Sequence, residues 1–455
     1  MALAVLFMAI VGFVIAKQKW LKTVLAVFIL LSVISPFILV SAKNTALVKN
    51  NGTLKRLASI SLDDVTTESR FLVWGASWQG LTESPKSFFI GYGLENYYYA
   101  FNKHFPTQIF KDAGSRVWFD RAHNVIFDIG VTTGILGLFA YLLILVTAVY
   151  FLYLVYKRTR SFSSSWVLIG LVLAYFVQNL FVFDTLNNEI LLYLFLAFVA
   201  FLYFQTEKTS LSNVDQKGRE VNYYNLNGYL WGLGALVVLL ILLFLNVKTL
   251  KANNYIYLAL VNGNKYEVAT DYFQQSIEKA VTGRYEARQQ FANFAVASNA
   301  PTVAKAEIID SAVQELEKSV EQEPKNVRHY LLLAKMYNNT AQLDANRLNK
   351  SIDILKEAIP LSPDRPQIYF ELGQSYLFKQ QFDKALEYYK IGLSKSSRVV
   401  GSHVSMLSLG ILIGSQEIIN QELSALLTLG WQPTVGNYNR FIEQFIGVGN
   451  YQGAV

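Results

Sequence analysis

The feature that most constrains this chain is a series of long apolar runs in its first half. Trp20 to Val40, Ile135 to Tyr156, Trp166 to Phe183 and Leu226 to Val247 all lie near the length of about 20 residues that crosses a bilayer as a helix. In lipid a single run can satisfy its backbone only as a helix, which directs the fold before any motif is considered. The whole chain is 53% hydrophobic and 16% charged, abnormal for one soluble protein, and the average hides a change of character at Lys251. From there on, charged, polar and small residues alternate at helical spacing. The expectation is an all-α protein: a polytopic transmembrane helical bundle over residues 1–250, followed by a helical domain over 251–455.

Charge bias orients the spans. Met1 to Ala16 is apolar but short and lacks the basic start of a signal peptide, so it reads as a transmembrane helix clipped at its beginning. Lys17 and Lys19 precede the next span, which tolerates Pro36 near its exit, and this basic turn belongs in the cytoplasm. Ser41 to about Thr132 then forms a large extracytoplasmic loop. Ile135 to Tyr156 returns to Lys157, Arg158 and Arg160, and Trp166 to Phe183 leads out to DTLNNE, which has no basic residue. Ile190 to Phe204 comes back as a short span. Leu226 to Val247 leaves again after the mixed polar linker Gln205 to Asn225. Six spans, by parity, put residues 251–455 on the same outer face of the cytoplasmic (inner) membrane as the loop.

Several classes of chemistry are disfavoured. The net charge is +7, but the basic residues are scattered, so no nucleic-acid partner is expected. With no cysteine there are no disulfides and no thiolate nucleophile or ligand. His104 and His123 have no carboxylate pair at ligand spacing, and no P-loop, nucleotide fingerprint or serine elbow is present. No metal and no cofactor is therefore expected, and a nucleotide-sugar donor is disfavoured.

The loop holds the polar chemistry. TTESRFLVWGASWQGL, Thr66 to Leu81, predicts a helix with Phe71, Trp74, Trp78 and Leu81 on one face and Ser69 or Thr67 as N-cap. Two tryptophans on such a face suit a membrane interface. Arg70 lies one turn before Trp74, and it reads either as a phosphate contact or as an arginine snorkelling to headgroups. SPKSFFIGYGLENYYYAF follows, with Pro85, Gly91 and Gly93 marking a turn. Its aromatic cluster Tyr97, Tyr98, Tyr99 and Phe101 suits either packing or sugar stacking. In RVWFDRAHNVIFDIGVTTGILG, Arg116 and Arg121 flank His123. Positive neighbours favour a neutral imidazole able to accept a proton from a hydroxyl, while a capping histidine is the bland alternative. Asn124 is a candidate helix cap, and Gly130, Gly134 and Gly137 predict a face for close approach of another span.

Beyond Lys251, Tyr369, Leu372, Gly373, Tyr376, Ala385, Tyr389 and Gly392 stand at the spacing that resembles the tetratricopeptide signature, a helix pair of about 34 residues. Tyr330, Leu333, Ala334, Tyr337, Leu355, Ala358 and Pro363 fit with about five extra residues. Ala312, Leu316, Ser319 and Pro324 fit a second helix, and Ala269, Phe273 and Ser276 fit more weakly. Tyr438, Phe441 and Phe445 resemble the first helix of a further repeat that stops at GNYQGAV, so the chain reads as clipped at both ends. The fold expected for residues 251–455 is a tetratricopeptide α-solenoid offering a surface to a protein partner.

Arg70-x-x-x-Trp74, Pro85 with Gly91-x-Gly93, and Ala122-His123-Asn124 followed by the three glycines together resemble the C-terminal catalytic segment of the O-antigen ligase and polymerase superfamily, over roughly residues 21–202. The resemblance implies a metal-independent, inverting glycosyltransferase that moves a glycan from an undecaprenyl diphosphate carrier to an acceptor hydroxyl, on a lipid or a protein, amid membrane lipids. It implies His123 and Arg70 as catalytic residues, and Arg116, Arg121, Trp74, Gly91 and Gly93 as substrate contacts. Guanidinium forks suit diphosphate oxygens. The family carries more spans and a further arginine ahead of this segment, for which this sequence has no counterpart. Polymerisation of glycan repeats and protein O-oligosaccharyl transfer share the same loop. A non-enzymatic, membrane-anchored tetratricopeptide scaffold is the alternative of a different class.

Overall fold

The computed structural model describes residues 5–6, 9–10, 12–13, 18–58, 65–111, 118–159, 162–212 and 227–447. Every regular element among them is helical. Contacts divide the chain into two compact units, one of Met1–Ile109 with Val117–Gly218 and one of Phe110–Arg116 with Arg219–Val455.

In the first unit, α1 (Lys19–Ser41) carries Pro36 inside it and exposes its apolar side chains, among them Trp20 and Phe37. Most of Met1 to Ala16 lies outside the described residues. Two short helices, α2 (Ala46–Lys49) and α3 (Gly52–Ala58), lead toward the loop helices α4 (Val65–Thr82), α5 (Pro85–Ile90) and α6 (Tyr97–Lys103). Helix α4 covers the expected stretch, but Thr67 and Ser69 lie inside it and do not cap it. The start of α5 is encoded locally. Ser84 and Ser87 exchange a capping box, Pro85 takes the first helical position, and Gly91, with φ 71°, ends the helix.

The long helices follow. Helix α7 (Val125–Thr159) is broken at Gly134, and α8 (Phe162–Asn179) and α9 (Leu186–Ser212) pack on its second part. Ala148, Leu152 and Val199 are the buried centre of this three-helix contact, and Phe151 stacks on Tyr203 at 4.4 Å. Helix α9 is longer than the short span expected from Ile190 to Phe204, because Thr185 accepts the Glu189 N–H and the polar turn Asn187–Glu189 joins the helix. Among the described residues, four helices are long and apolar enough to cross a membrane: Lys19–Ser41, Val125–Thr159, Leu186–Glu207 and Gly232–Val261; the segment expected as Trp166 to Phe183 is a shorter apolar helix, Ser165–Asn179. Of the expected linker Gln205 to Asn225, residues 213–226 lie outside the described residues.

In the second unit the last apolar run and the first solenoid helix are one element, α10 (Asn227–Val261), so residue 250 lies within a continuous helix. Helices α11 (Tyr266–Lys279), α12 (Arg284–Ala297), α13 (Thr302–Gln322), α14 (Val327–Asn339) and α15 (Arg347–Ala358) follow. The array continues with α16 (Pro366–Phe378), α17 (Phe382–Ser394), α18 (Val400–Leu412), α19 (Gln416–Thr428) and α20 (Val435–Gly447). Helices α16 and α18 start 34 residues apart, and so do α17 and α19. Helix α14 starts 39 residues before α16, which accommodates the five extra residues read from the sequence. Small residues sit where helices touch: a side chain on Gly373 would collide with the Tyr389 ring, and Ala385 is fully buried. One apolar core runs from Ala259 and Phe273 to Tyr337, the next from Val327 to Leu409, and a third from Leu407 to Phe445. This overlap is how a solenoid buries helix pairs that could not fold alone. Ala269, Phe273 and Ser276, the weakest match, are fully buried as well. GNYQGAV lies outside the described residues.

Candidate functional site

The turn around His123 is organised by the backbone of the residue before it. The Ala122 carbonyl accepts the Trp74 indole N–H at 3.0 Å, and the Ala122 N–H donates to the carboxylate of Asp128, one turn into α7. Ala122 is fully buried and Asp128 is 7% exposed, so the residue is held at both its N–H and its carbonyl within the protein. His123 then adopts φ 55°, the left-handed region that few residues other than glycine enter. Asn124 caps α7 as expected, its Oδ1 accepting the Ile126 and Phe127 N–H groups, while its Nδ2 donates to the Leu180 carbonyl at 3.0 Å.

The left-handed turn fixes the imidazole as well. The His123 Nδ1–H donates to the Arg121 carbonyl at 3.3 Å, and the ring meets Phe183 edge-on at 5.0 Å and Phe119 at 6.1 Å. With Nδ1 engaged as donor, Nε2 is the acceptor nitrogen, and among the described residues it has no partner. Phe119 in turn rests on the fully buried Phe101. The positive neighbour expected at Arg121 is paired with the Glu95 carboxylate through two bonds of 2.8 and 2.9 Å, which offsets its charge beside the ring. Arg116 lies outside the described residues.

Helix α4 carries Arg70 on the Trp74 side, four residues and about 6 Å earlier along its axis. Among the described residues Arg70 has no hydrogen-bond or ion-pair partner, so its guanidinium is not committed to the protein. The stripe read from the sequence divides. Phe71 and Trp78 are 54% and 58% exposed, Trp74 packs on Phe127 and Leu81 is buried, while Val73, Ala76 and Ser77 form the inner face. The aromatic cluster divides likewise, with Tyr97 and Phe101 in the core, the Tyr97 hydroxyl on Ser77, and Tyr98 and Tyr99 half-buried.

Gly91 and Gly93 are backbone devices. Tyr92 and Gly93 donate their N–H groups to the carbonyls of Val131 and Thr132, which the break in α7 at Gly134 (φ 70°) leaves without helical donors. A Cβ on Gly91 would lie 2.4 Å from the Thr132 carbonyl carbon, and one on Gly134 would lie 2.3 Å from the Phe89 carbonyl carbon. The close approach expected from Gly130, Gly134 and Gly137 is therefore between this loop and the kink, not between two spans. Gly137 faces Thr133 of its own helix, and Gly130 faces Leu81.

At the far end of α4, Glu83 gathers Lys103, Tyr92 and His104 around its carboxylate. Burial alone would raise its pKa, but the bonds from Lys103, Tyr92 and His104 bring it down to about 2. A carboxyl lowered in the folded state stabilises the protein above its ordinary pKa, and that contribution disappears as the pH falls toward 2. Glu83→Gln is expected to lower the melting temperature at pH 6. The gap from the parent should close between about pH 4.5 and 2, measured by thermal unfolding across that range.

Three features here had a readable signal or none. Asp128 is the single acidic residue in an otherwise apolar run, and an ionisable group in such a run marks a site by default. Nothing in the sequence linked Leu180 to Asn124 or Phe183 to His123, which they meet across more than fifty residues. The positive φ of His123 is likewise invisible in residue order.

Residues 1–142 match the family model described as O-antigen ligase. The match contains Arg70, Trp74, Pro85, Gly91, Gly93, His123 and Gly134, and over that stretch it bears out the resemblance drawn from them. Among solved structures, a thermophilic tetratricopeptide-repeat protein of Thermus thermophilus is 16% identical, with 43% of this chain and 99% of that chain covered and a TM-score of 0.33. The MamA protein is 17% identical, with 44% of this chain and 96% of that chain covered and a TM-score of 0.27. No curated protein matches the chain.

Proposed function

We propose, from the O-antigen ligase match over residues 1–142, that this membrane protein transfers a glycan from an undecaprenyl diphosphate carrier to an acceptor hydroxyl at the outer face of the cytoplasmic membrane. The observation that carries this reading is the pinned, left-handed His123 with its Nε2 free to accept a proton. As general base it would take the acceptor hydroxyl's proton as oxygen attacks the anomeric carbon from the face opposite the diphosphate, which leaves with inversion. Arg70, one turn from Trp74, would hold the departing diphosphate and stabilise its charge without a metal. Arg116 and Arg121 are proposed as further phosphate contacts, Arg121 by exchanging Glu95 for substrate. Trp74, Gly91 and Gly93 would serve the substrate by shaping the loop. The solenoid over residues 251–455, on the same outer face, would receive a protein partner.

Arg70→Ala is the direct test. Losing charge-assisted bonds to phosphate, roughly 1.5–3 kcal/mol, should cut transfer about tenfold or more at normal protein level. Carrier-linked glycan of full length should then accumulate unattached. Single-repeat glycan accumulating instead would mark a polymerase, and undiminished attachment would sink the assignment of Arg70.

A further inference from the structure

Where α10 leaves its apolar run, the second unit opens a groove of about 1400 Å3 between α10 and α11. Lys248, Lys251, Lys279 and Arg284 line it against the single carboxylate of Glu278. Among the described residues none of the four cations belongs to an ion pair. Arg284 donates to the Ile277 and Ala280 carbonyls at the end of α11, and Lys279 donates to the Tyr255 hydroxyl and Gln275 at 3.2 Å. These bonds orient Lys279 and Arg284 through neutral oxygens, none of them a carboxylate.

The groove's depth follows from the helix. Lys248 is the first charged residue after the apolar run, and Tyr255, the last aromatic of α10 in the lining, is seven residues on, about 10 Å at the rise of an α-helix. The site therefore begins in the headgroup layer, which adds about 5–8 Å to each side of the hydrocarbon. Its tyrosines, Tyr255 and Tyr272, have ring centroids 6.0 Å apart and are of the type that settles at that level. Leu250 and Val281 at the rim are 67% and 48% exposed, so apolar side chains border the cationic floor on the membrane side. A soluble phosphate has no use for that rim, whereas a phospholipid does.

We infer that this groove binds the phosphate of an anionic phospholipid from the surrounding bilayer, with Lys248, Lys251 and Lys279 on the headgroup and Leu250 and Val281 against the acyl boundary. Such a lipid fastens the base of the solenoid to the membrane surface. The inference is independent of glycan transfer, because it uses no residue of the loop.

The test uses the full chain, extracted from vesicles of phosphatidylglycerol and phosphatidylcholine in equal parts, with retained lipid quantified by mass spectrometry. Phosphatidylglycerol should be enriched. Neutralising one lysine near a bilayer surface costs about fivefold in attraction, so Lys248→Gln, Lys251→Gln and Lys279→Gln combined should reduce the enrichment about tenfold or more, with helix content unchanged by circular dichroism. If the triple variant fails to fold, the parent in high salt supplies the same reading, since screening should remove the preference. No enrichment in the parent, or enrichment indifferent to both the lysines and salt, overturns the proposal. Displacement of the retained lipid by millimolar inorganic phosphate overturns the choice of a lipid over a free anion.

Discussion

His123→Asn should abolish glycan attachment while leaving the protein folded, and it separates the chemistry of the side chain from the shape of the turn. Asparagine tolerates φ 55° better than other residues that could replace histidine, so the left-handed backbone and its pinned Ala122 peptide should survive. The base is lost, and a positioned general base contributes on the order of 10²–10⁴-fold. Alanine would confound the result, because it removes the imidazole and strains the backbone together. The measurement is attachment of labelled glycan by purified protein in vesicles, beside a melting curve. Equal attachment in His123→Asn and parent would favour the scaffold reading over the enzymatic one, and deletion of the solenoid would then become the informative variant.

How much of this was legible depended on the range over which each feature is encoded. The tetratricopeptide spacing of Tyr369, Leu372, Gly373, Tyr376, Ala385 and Tyr389 reports contacts between neighbouring helices, and such contacts are periodic in sequence. The Asn124 cap and the capping box at Ser84 are more local still. His123 was legible as a residue but not as a geometry. Its pose depends on Trp74, 48 positions from Ala122 in sequence, and on Phe183, which comes from the far side of two helices. Arg121 shows the same limit for charge. Residue order placed a cation beside His123, and only the fold brought Glu95 to meet it. The glycines illustrate a different ambiguity, since intervals of three and four suit a packing face and equally suit a kink flanked by helical turns.

That ambiguity makes Gly134 the position whose replacement should do most structural harm. Gly134→Ala imposes a side chain on φ 70°, which costs about 1–2 kcal/mol for an L-residue, and drives its Cβ to within 2.3 Å of the Phe89 carbonyl. The Cβ is fixed by its own backbone and the atoms it meets are backbone, so neither can turn aside as a longer side chain would. Relief requires α5 to withdraw, at a further cost of about 1–3 kcal/mol by analogy with overpacked cores. Withdrawal also breaks the bonds from Tyr92 and Gly93 to Val131 and Thr132, and these carbonyls then lose the donors that replace their helical partners. The chain has no cysteine, which permits a single reporter: Ser87→Cys on α5, at a position 6% exposed. Maleimide labelling should be slow in the otherwise unchanged protein and fast in Gly134→Ala, with a lower melting temperature. Gly91→Ala, whose Cβ meets Thr132 from the other side of the same crossing, should act alike. A protein that carries Gly134→Ala with Ser87→Cys still protected and an unshifted melt would mean that α7 is not broken at Gly134 in the membrane, and the account of how the loop is held against α7 would fail with it. Because Ala122, which precedes His123, is held by Trp74 on α4 and Asp128 on α7, loosening this crossing should also reduce glycan transfer with every polar residue of the site still in place.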